Sequence, residues 1–308
     1  MAVLKREFKV TSSDNVHQLV GVVFCPDGEA KGFFHVVHGM TEYIGRYERF
    51  MHDMASEGWI CFGYDHLGHG LTAVNDDELG YIAEKNGWEL LVKDVKVYAD
   101  AVMAEYGKGD KPYCLMGHSM GSFIVRLAAE RYVRPDNLII MGTGGANIAA
   151  GAGIALTEIV KLFKGAKYIS KLVDKMAFGN YNKRFESELE EAPAPWLTTD
   201  KEMRKKYCHD KFCTFKFTVS AMGDLIRLNK YCNSASWYKK LPKDLPVLLV
   251  SGEDDPVGNY GKGVIEVYSK LRKQGIDADC ILYKEARHEI LNDFTYGTVK
   301  KDILDFCR

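Results

Sequence analysis

The sequence predicts an α/β protein with a mostly parallel, doubly wound sheet, antiparallel strands at the N-terminal end and a helical insertion. Short apolar runs alternate with longer segments of helical periodicity on both sides of a central stretch, from about 147 to about 240, that shows only helical patterns. The first 25 residues instead alternate apolar and polar side chains, as antiparallel strands do.

The predicted elements follow in chain order. The alternating segment ends at a Pro-Asp-Gly turn at 26–28. Buried strands are predicted at the apolar runs 32–38, 59–64, 112–116, 138–141, 246–250 and 279–283. Helices are predicted at 43–57, 88–106, 120–132, 263–274 and 290–307. The chain therefore divides into a core of 1–146 and 241–308 and a helical cap of 147–240.

The composition fits a folded, enzyme-sized protein. Hydrophobic residues make up 46% of the 308 positions and charged residues 27%, which excludes disordered and collagen-like classes. The net charge of −1 gives no basic excess, so no nucleic-acid partner is predicted. No apolar run reaches the ~18–20 residues of a membrane span, and the N-terminal residues lack the apolar region of a signal peptide.

Cysteine usage predicts reduced thiols and a cytoplasmic location. Eight cysteines are present, none in a CxxC pair, and four lie inside apolar runs. The Cys208/Cys213 pair around His209 and the His66/His69 pair are both weak patterns for a metal site. No metal and no cofactor are therefore predicted.

The pentapeptide at 117–121 reads Gly-His-Ser-Met-Gly and matches the G-x-S-x-G pattern. It follows an apolar run and opens a predicted helix, which is the strand–turn–helix context of a nucleophile elbow. The glycines allow strand and helix to pack tightly while the turn projects the Ser119 hydroxyl above the sheet. Ser119 is therefore the candidate nucleophile; the alternative is a serine that only caps the helix.

A serine hydroxyl needs an adjacent base to take its proton. In this type of fold the acid and then the histidine follow the serine in sequence, which leaves His209 and His288 as candidates. His209 lies in the helical insertion, whereas His288 lies in the loop after the last predicted strand, which opens beside the elbow. His288 is the predicted base, with a plain surface histidine as the alternative.

The acid is expected at a strand end between the elbow and the base. The loop after 138–141 has no carboxylate, while the loop after 246–250 reads Ser-Gly-Glu-Asp-Asp-Pro-Val. Of its three acids we favour Asp255, three residues after Gly252 and fixed before a proline, over Asp254. The predicted acid would hold the imidazole in the required tautomer and stabilise the imidazolium. The alternative is that the three acids only form a solvated turn.

An oxyanion hole requires backbone N–H groups at the developing negative charge. One is expected from Met120, directly after the nucleophile, and the other from Met40, in the loop after the strand at 32–38. His38 and the segment 65–70 are expected to shape this loop through backbone hydrogen bonds.

Several segments together carry a family resemblance. They are 38–47 (HGMTEYIGRY), 65–70 (DHLGHG), 117–121 (GHSMG), 252–256 (GEDDP) and 286–288 (ARH). The chain resembles the monoglyceride lipase and lysophospholipase branch of the α/β-hydrolases, often described as serine aminopeptidase-like, from about 20 to 308. This resemblance implies Ser119, Asp255 and His288 as the triad and Met40 and Met120 as oxyanion donors. Met40 departs from the small residue usual in the family, which leaves substrate size open.

The resemblance implies a cofactor-free serine ester hydrolase of the monoacylglycerol lipase or lysophospholipase type, acting on monoacyl lipids or medium-chain acyl esters. One alternative is an iminopeptidase-like peptidase, in which the acidic run 186–191 would bind the substrate amine. Another is a non-catalytic, ligand-binding homologue. Acyl-chain length, leaving group and oligomeric state stay open.

The insertion has its own charge. Between 146 and 240 it holds 17 Lys and Arg against 10 Asp and Glu, a net +7, while the rest of the chain carries −8. Lysines recur at helical spacing from Lys161 to Lys175, on one helix or on two helices broken near Gly165. In one interpretation, the apolar side of this segment packs on the core and the lysines are solvated. In the other, which gives the segment a function, its basic side contacts anionic lipid surfaces.

Overall fold

The computed structural model describes residues 3–190 and 192–307. Its strands are β1 (Val3–Thr11), β2 (Gln18–Pro26), β3 (Gly32–Val37), β4 (Trp59–Tyr64), β5 (Tyr113–His118), β6 (Asn137–Met141), β7 (Val247–Gly252) and β8 (Ala278–Tyr283). Within the described residues they form one eight-stranded sheet in the order β1-β2-β4-β3-β5-β6-β7-β8. The pairs β1–β2 and β2–β4 are antiparallel and all others are parallel, which confirms the predicted fold class.

Helices cover both faces of this sheet. They are α1 (Glu48–Ser56), α2 (Gly87–Tyr106), α3 (Met120–Arg131), α4 (Ala150–Lys164), α5 (Lys171–Phe178), α6 (Lys201–His209), α7 (Val219–Cys232), α8 (Ala235–Lys240), α9 (Lys262–Lys273) and α10 (Tyr296–Phe306). One buried cluster joins α2, α3 and α9 to the sheet, and a second joins α1 and α10 to the opposite face. Because both faces are covered, the strands from β3 to β7 are almost entirely apolar and nearly all their residues are buried.

The C-terminal segment corrects one expectation. A single helix was expected over 290–307, but the chain forms a 3₁₀ turn at Ile290–Asn292 and then α10. Asp293 lies between them in an extended conformation, where its carboxylate accepts hydrogen bonds from Thr199 and from the N–H of Phe294. These hydrogen bonds replace the helical ones at that point. Among the described residues, no helix has both the length and the apolar character needed to cross a membrane.

The segment between β6 and β7 contains α4 to α8 and, in its described residues, no strand. Helix α4 ends at Lys164 and α5 begins at Lys171, so of the two arrangements left open by the sequence the structure shows two helices broken near Gly165. The expected boundaries of a cap at 147 and 240 remain a prediction.

The apolar side of α4 and α5 packs on the core only in part: Val173 is buried and Leu156 packs against the core, but several other large side chains face solvent, so the expected packing is confirmed only in part. The side chain of Phe163 is 78% exposed and that of Met176 66%. The other exposed apolar side chains of this region include Ile148, Ile159, Leu162, Ile169 and Leu172. Helix α4 instead approaches α7 through Thr157, which is buried and lies close to Gly223. The small size of Thr157 and Gly223 allows this close contact between the two helices, while Ile159, Leu162 and Phe163 stay exposed.

Candidate active site

Ser119 lies on the sharp turn between β5 and α3, and its backbone is strained. Its φ of 55° and ψ of −120° are unusual for a non-glycine residue, as expected for a nucleophile elbow. The turn is possible because Gly121 lacks a side chain: a Cβ there would collide with the carbonyl oxygens of Val37 and His38. The result is a half-buried hydroxyl at the carboxyl edge of the sheet.

Ser119, His288 and Asp255 form a continuous chain of hydrogen bonds. The Ser119 hydroxyl lies 2.8 Å from His288 Nε2, and His288 Nδ1 lies 2.9 Å from Asp255 Oδ2. A carboxylate can only accept, so His288 donates from Nδ1 and Nε2 is left to accept the serine proton. Both His288 and Asp255 are buried, which keeps water from competing for these hydrogen bonds.

The loops after β7 and β8 bring acid and base together. The backbone of the His288 loop passes so close to Gly252 that a Cβ there would collide with the carbonyl oxygens of Ala286 and Arg287. Asp255 Oδ1 accepts the N–H of Val257 at 2.8 Å, which orients the carboxylate.

The two adjacent aspartates point to different partners. Asp254 faces away from the imidazole and pairs with Arg184 Nη1 at 2.8 Å. Asp255 is the one that contacts His288, as the sequence favoured. His209, the other candidate base, is exposed on α6 and bonds the carbonyl of Lys205.

The expected oxyanion donors border the same cavity as Ser119. Met40 and Met120 both line it, and neither backbone N–H donates to another described residue. The loop of Met40 is shaped by His38, as expected: its Nδ1 donates to the Gly39 carbonyl at 2.8 Å and its Nε2 accepts the His66 N–H at 3.0 Å. Burial lowers the pKa of His38 to about 4, so the ring is neutral.

A buried network that the sequence did not reveal supports this loop. Glu42 Oε1 accepts from the Gly39 N–H at 2.5 Å, from the Tyr47 hydroxyl at 2.8 Å and from His118 Nδ1 at 3.1 Å. Arg46 donates to Glu42 and forms two hydrogen bonds with Glu289. The i, i+4 spacing of Glu42 and Arg46 was the only available signal for it.

Electrostatics stabilise a charged pair in this network. Burial alone would raise the pKa of Glu42, but the hydrogen bond and charge of His118 and the charge of Arg46 lower it well below its ordinary range. Burial would lower the pKa of His118, but its hydrogen bond to Glu42 and the Glu42 charge raise it. His118 Nε2 reaches the backbone carbonyl of His288 at 3.2 Å, so the pair also holds the loop of the predicted base.

The imidazole of His288 contacts two other rings. Its centroid lies 4.7 Å from that of His118 and 5.1 Å from that of Trp196. The Trp196 carbonyl accepts the His288 N–H at 3.4 Å. Trp196 comes from the segment between β6 and β7, and no sequence pattern pointed to it.

A cavity of about 450 Å³ opens at Ser119. Much of its wall is apolar, formed by residues that include Phe123, Ala177, Phe178, Leu225, Ile226 and Val257. Its polar part includes Thr41, Glu42, Tyr207 and Glu289. Cys213 also lines it, but burial raises the pKa of this thiol, so the protonated form dominates.

The family model described as "Serine aminopeptidase, S33" matches residues 28–295, most of the chain. The chain belongs to this hydrolase family. Among curated relatives, the monoglyceride lipase of Mus musculus is 33% identical over 114 residues. That match spans 35% of this chain and only 35% of the mouse protein. The monoglyceride lipase of Saccharomyces cerevisiae is 24% identical over 295 residues, 92% of this chain and 88% of the yeast protein.

Solved structures of other hydrolases share the whole fold. A thermostable carboxyl esterase from Bacillus coagulans, solved with glycerol, is 25% identical, with a TM-score of 0.91 over 99% of this chain and 98% of the esterase. A soluble variant of the S. cerevisiae monoglyceride lipase is 18% identical, with a TM-score of 0.75 over 99% and 94% of the two chains. The latter likeness shows the α/β-hydrolase fold alone.

Proposed function

We propose that this chain is a serine carboxylic-ester hydrolase that acts on monoacyl lipids or medium-chain acyl esters. The observation that carries the proposal is the hydrogen-bonded chain Ser119–His288–Asp255 at the end of a largely apolar cavity. Relatives named monoglyceride lipase and carboxyl esterase support the same class of substrate.

The geometry supports a two-step mechanism. His288 Nε2 removes the Ser119 proton as the hydroxyl oxygen attacks the ester carbonyl, and Asp255 stabilises the imidazolium that forms. The N–H groups of Met40 and Met120 donate to the oxyanion. The imidazolium then protonates the departing alcohol, and a water activated by the same ring hydrolyses the acyl-enzyme.

The cavity favours an acyl chain over a charged amine. A peptidase of the iminopeptidase type needs a free carboxylate for the substrate amine, yet Glu42 and Glu289 both pair with Arg46, and Asp174 pairs with Lys216. Of the acidic run considered from the sequence, Glu188 pairs with Arg204 and Arg287, and Glu191 lies outside the described residues. No described member of the run lines the cavity.

Covalent labelling and a substrate panel test the proposal. A fluorophosphonate probe should label the wild type and not the Ser119→Ala variant. The panel should pair p-nitrophenyl esters of increasing acyl length and monoacylglycerols with amino-acid anilides. Faster hydrolysis of the anilides would favour the peptidase, and absence of both labelling and turnover would favour a non-catalytic homologue.

We infer that the segment 147–240 forms the cap over this cavity. Its residues include Trp196 and Tyr207 on the cavity wall. We also infer a cytoplasmic, reducing location, which the eight free cysteines support.

We further propose that α4 and α5 rest on anionic lipid surfaces. Large exposed apolar patches mark interaction sites, and here they alternate with basic residues. Lys164, Lys171 and Lys175 are exposed and form no ion pair with any described residue. By contrast, Lys161 pairs with Glu158, and Lys167 lies over the ring of Tyr81. Ala177 and Phe178 at the end of α5 line the cavity, so the surface would adjoin its entrance.

Vesicle binding tests this surface. The wild type should sediment with phosphatidylserine vesicles at low salt and less at high salt, because each surface lysine contributes ~1 kcal/mol that salt screens. A Lys164/Lys171/Lys175→Glu triple variant should bind less, and Lys31/Lys273/Lys284→Glu, with the same change in charge on the core, should bind as the wild type does. Both should hydrolyse a small soluble ester normally. A wild type that ignores anionic vesicles at low salt would contradict the proposal.

A further inference from the structure

Thr41 has a backbone conformation that its own side chain disfavours. Its φ is 50°, in the left-handed region, where a β-branched residue is a rare outlier. Such a conformation persists only when neighbouring groups hold it in place. Thr41 directly follows Met40, the proposed oxyanion donor, so what holds Thr41 also bears on the proposed mechanism.

The group that holds Thr41 comes from α6. The Thr41 hydroxyl lies 2.9 Å from the hydroxyl of Tyr207, which is itself one of the cavity-lining residues. The guanidinium of Arg46 lies 4.9 Å from the centre of the Tyr207 ring and fixes the ring in place. Just beyond α6, Asp210 accepts the Tyr43 hydroxyl at 2.9 Å.

The loop is thus fixed on both sides of Met40. On the core side, the N–H of Gly39 donates to buried Glu42. On the α6 side, the hydroxyl groups of Thr41 and Tyr207 form a hydrogen bond. Met40 lies between these two anchors, and its N–H donates to no other described residue.

We propose that Tyr207 is a positioning residue for the oxyanion hole. Its hydroxyl holds Thr41 in the left-handed conformation, and this keeps the Met40 N–H directed at the oxyanion above Ser119. The proposal rests on the proposed ester hydrolysis. It makes turnover depend on a side chain from the helical segment that touches none of the reacting atoms.

A mutant cycle tests the proposal. Tyr207→Phe keeps the ring and removes only the hydroxyl. It should lower kcat about 10-fold, a fraction of the ~10²–10³ lost when an oxyanion donor is removed outright, with KM changed less than about twofold. In a Thr41→Gly background, adding Tyr207→Phe should change kcat less than about twofold, because glycine adopts a positive φ freely and has no hydroxyl to be held.

The control is Tyr43→Phe, which removes a hydroxyl bond between the same two segments without touching Thr41. It should leave kcat close to that of the wild type. The proposal would be overturned if Tyr207→Phe lowered kcat equally in the wild-type and Thr41→Gly backgrounds, or if it changed KM alone. Tyr207 would then only line the cavity. A wild type without ester turnover or fluorophosphonate labelling would remove the proposed function, and this positioning role with it.

Discussion

Two regions of the molecule differ in what their side chains contact. One is the carboxyl edge of the sheet with its loops, and the other is the pair of helices α4 and α5. At the sheet edge, Asp255, His288, Glu42 and His118 are buried, and each has hydrogen-bond partners within the chain. In α4 and α5, large apolar side chains and lysines face solvent together. The first region is therefore fixed by the fold itself. The second has a surface suited to a contact outside the molecule.

The largest effect should follow from removing the proposed nucleophile. Ser119→Ala should retain the fold and lower kcat about 10⁶-fold, because only oxyanion and binding effects would remain. Ester hydrolysis and thermal unfolding of the same preparation measure both. A folded variant with turnover near that of the wild type would mean that the hydrogen-bonded chain at the sheet edge is structural.

The adjacent aspartates should differ sharply. Asp255→Asn should lower kcat about 10⁴-fold, because an amide no longer holds the imidazole in the required tautomer. Asp254→Asn is the matched control: it alters only an ion pair with the half-exposed Arg184, and kcat should change less than about threefold. Comparable losses in the two variants would contradict the assignment of Asp255.

Glu42 should matter for stability more than surface acids do. Glu42→Gln leaves one carbonyl oxygen where a carboxylate now receives hydrogen bonds from four groups, and it removes the charge that balances buried His118 and Arg46. Breaking a buried pair in this way costs ~3 kcal/mol. Urea unfolding measures the loss, and Asp244→Asn, which breaks an exposed pair with Arg134, should cost less than ~1 kcal/mol. Equal losses would show that the Glu42 network adds little.

The same contrast explains what the sequence could predict. The sequence could predict that Ser119, Asp255 and His288 come together, because the carboxyl ends of parallel strands meet at one edge of the sheet. It could not predict that Trp196 and Tyr207 join them, because their segment has no sheet register to fix its position. Amphipathic spacing in α4 likewise does not say which side packs inward. There the small residue Thr157 turned inward, while Phe163 stayed in solvent.

The smallest expected effect concerns Asp224, at the point where α7 packs against α2. This side chain is 2% exposed and packs against Gly87 at the start of α2, and Oδ2 has no hydrogen-bond partner among the described residues. Burial raises its pKa to about 6, although the Trp88 N–H and the charge of Arg227 act in the opposite direction. Between pH ~4 and ~6 the folded state therefore keeps a proton that the unfolded chain has released.

It follows that this group stabilises the fold less as pH rises through that window, and the loss is complete above the folded pKa. Asp224→Asn removes the titration, so raising the pH from 4.5 to 7.5 should lower the unfolding temperature of the wild type about 2–4 °C more than that of the variant. Asp200→Asn, at the exposed N-cap of α6, controls for a general loss of charge and should follow the wild-type pH dependence. Parallel curves for wild type and Asp224→Asn would mean that water reaches the carboxylate and that α7 separates from α2 at that point.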